Sequence, residues 1–407
     1  MLSGQLKEFL TSSNQIDSIA YLEYIVSLPG SDKIIPNIDE DFLEKSYKFL
    51  GLEATLKDYL KSGLQLLQDI PELKELLVLG RRAIENYINI DKSKWPVVPE
   101  EKHVYAKAFE MYVFIFNVPL MLERYESLKI PLQYAIDLLV DFKIWVEDYF
   151  GKHQKYGLAE LGWLCNHLNL KTFQIGRLQY EPRQNPLPYF GFRNHQTNQL
   201  LVMVNKGLEV RKDGLFNGCN GLIEKDVYRT DFYEDEKSIS GLVVNPHGFI
   251  TDKIRSLEKK DWVQILCPNS TVLALHIPAS GALKKELLDQ SLLAAIDFFQ
   301  TYFPAISFNC FMTTTWFMDP TIAKYLPQSN IAIFQKSGYL LPIPKANDHQ
   351  FFERVFGSVN IDIENFLPTT SLQKMGIEHI RQGGHWKMYG FLLLKSDIPL
   401  TENLYRL

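Results

Sequence analysis

The chain has 407 residues, of which 46% are hydrophobic and 22% charged, a composition typical of a globular protein long enough for two domains. The net charge of −5 gives no basic footprint for nucleic acid, and no apolar run reaches the roughly 20 residues that span a bilayer. Four scattered cysteines without CxxC spacing argue against a disulfide framework and a structural zinc site. We therefore expect a metal-free protein of the reducing cytoplasm.

The first part of the chain carries helical patterns. Apolar residues recur at three- and four-residue steps, as in Leu6, Phe9 and Leu10. A charged loop with two prolines, residues 91–102, interrupts the helices. The sequence predicts a helical bundle domain over residues 1–154, with the polar, glycine-flanked segment 151–157 at the boundary.

After Lys171 the residue pattern changes to short runs in which apolar and polar residues alternate. We predict a strand over 172–180 and a loop over 181–188. Further strands are expected at these positions: 200–204, 207–211, 238–244 and 262–266. Strands with intercalated helices after a purely helical half predict an α+β chain whose second domain, residues 155–407, has a mixed sheet.

The centre of this second domain is the stretch 270–320. It predicts a buried strand (271–278), a loop of small residues (279–282), an amphipathic helix (284–302) that Pro304 ends, and a second strand (308–317). The elements expected afterwards are a short helix (321–326), strands (330–335, 339–343), helices (348–355, 370–381) and a last strand (386–394).

A strand that passes through such a loop into a helix directs backbone N–H groups and the positive helix end at one spot, where an anion can bind. Lys284 and Lys285 stand in the first helical turn, where cations oppose the helix dipole. A bound phosphate would remove that penalty. The alternative is that both lysines simply face solvent.

This order of elements resembles the cofactor-binding core of the GNAT superfamily of N-acyltransferases. The whole chain is similar to bacterial acyltransferase-domain proteins that join a helical N-terminal domain to a GNAT-like C-terminal one. The residues that carry the resemblance are HIPASGAL (276–283), SLLAAIDFF (291–299), YFP (302–304), WFMDP (316–320), SNIAIFQ (329–335) and GGHW (383–386).

The resemblance implies acetyl-CoA or another acyl-CoA as co-substrate and a small-molecule or peptide amine as acceptor. Because of the net charge and the lack of a long apolar run, neither a nucleic acid nor a membrane is expected as a partner. GNAT proteins usually bind the pyrophosphate with a Q/R-x-x-G-x-G/A loop, and only a Gly-Ala remnant stands at that place here. The residues that the resemblance assigns to the cofactor are Ile277, Ser280, Gly281, Ala282, Leu283 and Lys284. The departure keeps a second hypothesis open, a non-catalytic binding or scaffold protein on a degenerate GNAT fold.

Direct attack of an amine on a thioester needs a base, an oxyanion donor and an acid for the leaving thiolate. The resemblance implies His276 as the base and Tyr325 as the acid, with Asp319 as a further catalytic candidate. Each has an alternative. His276 can be a half-buried strand histidine, Asp319 a helix cap and Tyr325 a packing residue.

Overall fold

The structure is a computed structural model that describes residues 1–30 and 37–406. The chain divides into two compact units, one of Met1–Ile175 with Pro278–Ser280 and one of Gly176–Ile277 with Gly281–Leu407. The predicted division of the chain into a helical region followed by a mixed sheet domain is confirmed. The predicted boundary between residues 154 and 155 falls inside the first unit and stays a prediction. None of the helices within the described ranges is both long and apolar enough to cross a membrane.

The first unit is built from helices. Their bounds are α1 (Gly4–Ser12), α2 (Asp17–Ser27), α3 (Glu40–Leu50), α4 (Ala54–Gly63), α5 (Gln65–Asp69), α6 (Glu72–Glu85), α7 (Ala108–Ser127), α8 (Leu132–His153) and α9 (Leu161–Leu168), with a short strand β1 (Phe173–Ile175) at the end. Most of helix α7 is buried, including the whole run Met111–Phe116. It therefore forms the centre of this unit, against α3, α6, α8 and α9.

A buried polar cluster joins α8 to α9. The Oδ2 atom of Asp141 accepts hydrogen bonds from Nε1 of Trp145 (3.3 Å) and Nε1 of Trp163 (2.9 Å), and lies 2.8 Å from Nε2 of His167. Asp141 and Trp145 are four residues apart on α8, and Trp163 and His167 four apart on α9, so each pair shares a helix face. The cluster satisfies a carboxylate that would otherwise be costly to bury.

The second unit contains most of the strands. They are β2 (Leu178–Gln184), β3 (Tyr189–Asn194), β4 (Leu200–Val204), β5 (Glu209–Arg211), β6 (Val227–Arg229), β7 (Phe232–Glu234), β8 (Ser238–Asn245), β9 (Phe249–Glu258), β10 (Trp262–Leu266), β11 (Thr271–His276), β12 (Cys310–Thr315), β13 (Tyr339–Leu341) and β14 (Tyr389–Leu394). Its helices are α10 (Lys285–Tyr302), α11 (Thr321–Tyr325), α12 (Asn330–Lys336), α13 (His349–Phe356) and α14 (Ser371–Arg381).

One sheet of this unit runs in the order β2-β11-β12-β14-β13, and only the β11–β12 pair in it is parallel among the described strands. A second sheet runs β10-β3-β4-β8-β7, with β9 paired to β8, and β5 and β6 form a separate hairpin. Helix α10 is fastened to the first sheet through Ser291. Its Oγ accepts from the backbone N–H of Leu178 (3.2 Å) and hydrogen-bonds the hydroxyl of Tyr180 (2.7 Å).

The predicted central strand–loop–helix–strand unit is confirmed within a few residues at each end. Three other predictions are wrong. The strand expected over 172–180 is interrupted by a turn at Gly176 and Arg177, where Gly176 has a positive φ of 60°, so that β1 and β2 are separate strands. Residues 330–335 form helix α12, not a strand, and the hydroxyl of Ser329 caps its start by accepting from the N–H of Ala332. The expected loop 181–188 is strand as far as Gln184, because Pro182 lies opposite Leu273 in an unbroken antiparallel register.

Candidate active site

The first feature of the site is the separation of β11 from β12. The described register pairs these parallel strands only at Leu273–Phe311 and Ala274–Met312. On its outer side each strand stays paired to its end, at His276–Gln179 and Thr315–Tyr389. The two strands therefore part beyond Ala274, and the parting withdraws their facing backbone groups from the ladder.

A cleft of ≈ 50 Å³ occupies this opening. Its lining residues are Arg183, Pro186, Leu187, Val272, Ala274, Leu275, His276, Met312, Thr313 and Thr314. Residues directly opposite in an antiparallel pair share a sheet face, so Glu181, Ala274 and His276 lie on one face. Tyr180 and Leu275 lie on the other face, which α10 covers. The cleft thus takes Val272, Ala274 and His276 of β11 from the face that this helix leaves uncovered.

His276 stands at the end of β11 with a carboxylate beside it. Its Nε2 lies 3.0 Å from Oε2 of Glu181 on β2, and the side chains of His276 and Glu181 are 26% and 23% exposed. The structure places the imidazole in the cleft while part of the pair stays in contact with solvent. In the tautomer whose Nε2–H donates to this carboxylate, Nδ1 is the acceptor nitrogen of the ring.

Two other predicted catalytic residues, Asp319 and Tyr325, lie near a second, larger cleft of ≈ 260 Å³. This cleft is lined by Arg211, Asp213, Leu215, Cys219, Asn220, Leu222, Thr321, His379, Gly384, His385 and Lys387. It lies past the carboxyl end of β12, because Asp319 follows that strand and Lys387 precedes its partner β14.

Asp319 is fully buried. Its Oδ1 accepts from the N–H of Thr321 (2.9 Å), and its Oδ2 accepts from the N–H of Lys387 (3.0 Å), whose Nζ is 3.9 Å away. The N-cap residue of α11 is Pro320, so Asp319 precedes the cap, and its carboxylate joins the first residue of α11 to the segment before β14. The Tyr325 hydroxyl donates to Oε1 of Gln382 (2.9 Å).

The second cleft contains a histidine that sequence reasoning did not select. Burial lowers the pKa of His379, partly offset by Asp319 and by a hydrogen bond to the backbone of His385. A side chain at Gly384 would overlap the His379 ring, since its Cβ would lie 2.1 Å from Cε1. The Gly383-Gly384 pair was the sequence signal for this close approach.

The predicted cofactor residues all lie in the loop between β11 and α10. Ile277 is half-buried, Leu283 is buried, and Ser280, Gly281, Ala282 and Lys284 are exposed. Gly281 has φ of 109° and nothing within 4 Å of the position of a Cβ atom. Arg177, from the turn before β2, holds this loop by donating from Nη2 to the carbonyl of Gly281 (2.6 Å) and from Nε to that of Ala282 (3.2 Å).

Two residues of this region were missed in the sequence. Glu181 was assigned to a loop because Pro182 follows it, although the alternation of β2 continues through both residues. Arg177 carries no local signal, because its partners are more than 100 residues away.

The fold, the parted parallel strands and the histidine beside them define an acyltransferase-like sheet domain, and comparisons with known proteins agree. The family model described as a GNAT-like C-terminal domain matches residues 172–392, and the one described as an N-acyltransferase N-terminal domain matches residues 45–170. The chain therefore belongs to the family of N-acyltransferase-domain proteins with a GNAT-like C-terminal domain. No curated protein matches the chain.

Solved acyltransferase structures are similar over nearly the whole chain. One, in complex with decanoyl-CoA and teicoplanin, has 19% identity and a TM-score of 0.63, covering 92% of this chain and 94% of its own. A complex with decanoyl-CoA has 20% identity and a TM-score of 0.63, with coverages of 96% and 97%. A mutant acyltransferase with octanoyl-CoA has 18% identity and a TM-score of 0.65, with coverages of 97% and 99%. At this identity the similarity establishes the fold.

Proposed function

We propose that the chain is a cytoplasmic N-acyltransferase that moves an acyl group from acyl-CoA to an amine by direct attack. The observation that carries the proposal is the parting of β11 and β12 next to the His276–Glu181 pair. Backbone N–H groups that leave a ladder can polarise a thioester carbonyl and stabilise the oxyanion that forms on it. Acyl-CoA complexes of the structural neighbours support the choice of donor.

His276 acts as the general base. An amine attacks only after it has lost its ammonium proton, and the imidazole of His276 accepts that proton, directly or through a water molecule. The carboxylate of Glu181, at 3.0 Å from Nε2, stabilises the imidazolium that results. As the C–N bond forms and the C–S bond breaks, Tyr325 is the proposed acid that protonates the leaving thiolate. The second nitrogen proton passes to water, and a proton from water restores the Tyr325 hydroxyl.

The loop before α10 is the proposed place for the pyrophosphate. It combines backbone N–H groups at the start of an 18-residue helix with the exposed cation of Lys284. The side of Gly281 is open, so the backbone can be approached closely there. Ile277, Ser280, Ala282 and Leu283 complete the proposed loop.

The second cleft is the proposed place for the acceptor, a small-molecule or peptide amine. It is about five times larger than the first and carries balanced charges, with Arg211 paired to Asp213 and Lys387 near Asp319. The strands β11 and β12 are parallel, so their carboxyl ends reach the same edge of the sheet. The first cleft extends along β11 from Val272 to His276 at that edge, and the second lies past the end of β12. A neighbour solved with teicoplanin supports an acceptor larger than a simple amine.

Thermal unfolding of the purified chain with acetyl-, octanoyl- and decanoyl-CoA, and with free CoA, tests donor binding. A ligand at 100 times its dissociation constant adds about 2.7 kcal/mol to the free energy of unfolding. Release of CoA thiol, measured with each stabilising donor and a panel of amines and peptides, then tests transfer. Stabilisation with amine-dependent thiol release is the expected result. If none of the four ligands at millimolar concentration shifts the transition, the proposal is wrong and the binding-protein hypothesis replaces it.

A further inference from the structure

The loop before α10 has an unusual anchor. Two successive carbonyl groups, those of Gly281 and Ala282, both accept hydrogen bonds from the side chain of Arg177, at 2.6 and 3.2 Å. In an extended strand, successive carbonyls point to opposite sides. Here the two peptide planes that meet at the Cα of Ala282 turn their carbonyls to the same side, so that both reach one guanidinium.

The orientation of these carbonyls fixes the orientation of the N–H groups. A trans peptide is planar, and its N–H points opposite to its C=O. The N–H of Ala282 belongs to the peptide whose carbonyl is that of Gly281, and the N–H of Leu283 to the peptide of Ala282. Both N–H groups therefore point together, away from Arg177. Two successive N–H groups that face one side of a loop can donate to the same anion.

We propose that Arg177 is the positioning residue for CoA binding, which rests on the function proposed above. The family's loop consensus is reduced here to a Gly-Ala remnant. In the family, residues within the loop would fix the orientation of its N–H groups. Here the guanidinium of Arg177, which lies outside the loop on the turn before β2, fixes that orientation. Arg177 orients the N–H groups of Ala282 and Leu283 toward the pyrophosphate without contacting that group itself.

The position of Arg177 is itself firmly set. Its neighbour Gly176 has φ of 60° and packs on Ser291 of α10, with 3.3 Å from the Cβ position to the Ser291 Cβ. One residue after Arg177, the N–H of Leu178 donates to the Ser291 hydroxyl. The turn is thereby joined to the middle of α10, while Arg177 holds the loop at the beginning of the same helix. Because the turn at Gly176 and Arg177 is held in place by α10, Arg177 can hold the loop before α10 in one conformation.

The test compares CoA with pantetheine, which has the same thiol arm but no pyrophosphate or nucleotide. Dissociation constants for both are measured by calorimetry with the wild-type chain and with Arg177→Ala and Arg177→Lys, using Arg255→Ala, an exposed arginine on β9, as the matched control. We expect Arg177→Ala to weaken CoA binding at least about tenfold and to leave pantetheine binding unchanged, because only CoA uses the oriented N–H groups. Arg177→Lys, which can satisfy one carbonyl at a time, falls between.

Melting temperatures without ligand identify variants that fail to fold, and Arg177→Lys serves as the milder variant in that case. Unchanged CoA binding in Arg177→Ala overturns the inference, and so does an equal loss of CoA and pantetheine binding, which indicates general disruption. A wild-type chain that binds neither ligand refutes the proposed function instead.

Discussion

Two of the histidine–carboxylate pairs in the described part of the chain, one taken from each unit, have similar lengths and opposite surroundings. Nε2 of His167 lies 2.8 Å from Asp141, and the two side chains are 0% and 4% exposed. Nε2 of His276 lies 3.0 Å from Glu181, with exposures of 26% and 23%. The distance that joins the pair is therefore no guide to its function.

The surroundings separate the two pairs. Asp141 also accepts hydrogen bonds from two tryptophan N–H groups, so the contacts of its carboxylate join α8 to α9. Glu181 stands at a cleft where strands part, and His276 lines that cleft. We infer that the buried pair stabilises the first unit and that the accessible pair moves a proton. Each inference predicts a different variant phenotype.

The largest effect is expected for His276→Gln. The glutamine amide can still donate to Glu181 but cannot accept a proton, so acyl transfer should fall by about 10²–10⁴-fold. The free energy of unfolding should change by less than about 1 kcal/mol, because the side chain is partly exposed. Steady-state thiol release and urea unfolding measure the two quantities. A rate within threefold of wild type would remove His276 from the mechanism.

The opposite pattern is expected for His167→Ala. Removing one partner of a buried pair costs about 3 kcal/mol, here with an additional cavity next to Asp141. Acyl transfer per folded molecule should be unchanged. Urea unfolding measures the loss, and His195→Ala, at an exposed histidine, is the control, expected within about 0.5 kcal/mol of wild type. Equal stability of both variants would contradict a structural role for the buried pair.

The sequence was most informative where one element carries one pattern. Helix α10 was predicted nearly to the residue, because Leu288, Leu292, Ala295 and Phe299 repeat at helical spacing and Pro304 follows. Helix α12 was predicted as a strand, because alternating apolar residues in a seven-residue helix imitate a half-buried strand. The Ser329 cap was the signal that should have decided between the two.

Only part of the candidate site could be predicted from the sequence. His276 could be named because it ends a predicted strand. Its partner Glu181 is 95 residues away, and the partners of Arg177 are 104 and 105 residues away. These contacts form because β2, β11 and β12 are neighbours in the sheet in that order. The residue pattern of a single segment does not predict that order.

A smaller effect on stability, about 1–3 kcal/mol, is expected for Ser291→Ala. The change removes the hydroxyl that bonds the buried Tyr180 and the N–H of Leu178, and an unsatisfied buried group carries a cost of that size. The double variant Ser291→Ala/Tyr180→Phe should lose less than the sum of the two single variants, because the second change removes the unsatisfied hydroxyl. Strictly additive losses in urea unfolding would show that the two hydroxyls do not interact.

The smallest effect concerns His379, which is neither fully buried nor paired like the two histidines compared above. Burial keeps its pKa below the ordinary value in the folded state. As pH falls below about 6.5, the unfolded chain therefore gains a proton that the folded chain does not bind, and stability falls. The loss stops growing once pH is below the folded pKa as well.

The variant His379→Gln isolates this contribution from the other groups that titrate in acid. The difference between the unfolding free energies of wild type and variant should be constant above about pH 7.5 and should shift against the wild type as pH falls through 6.5. Urea unfolding at half-unit pH steps measures it. A difference that is independent of pH would mean that the His379 ring takes its proton equally well in both states, and that the second cleft is wetter than its lining indicates. A wetter cleft would weaken the case for a bound acceptor there, since buried polar groups discriminate between ligands most strongly where water is excluded.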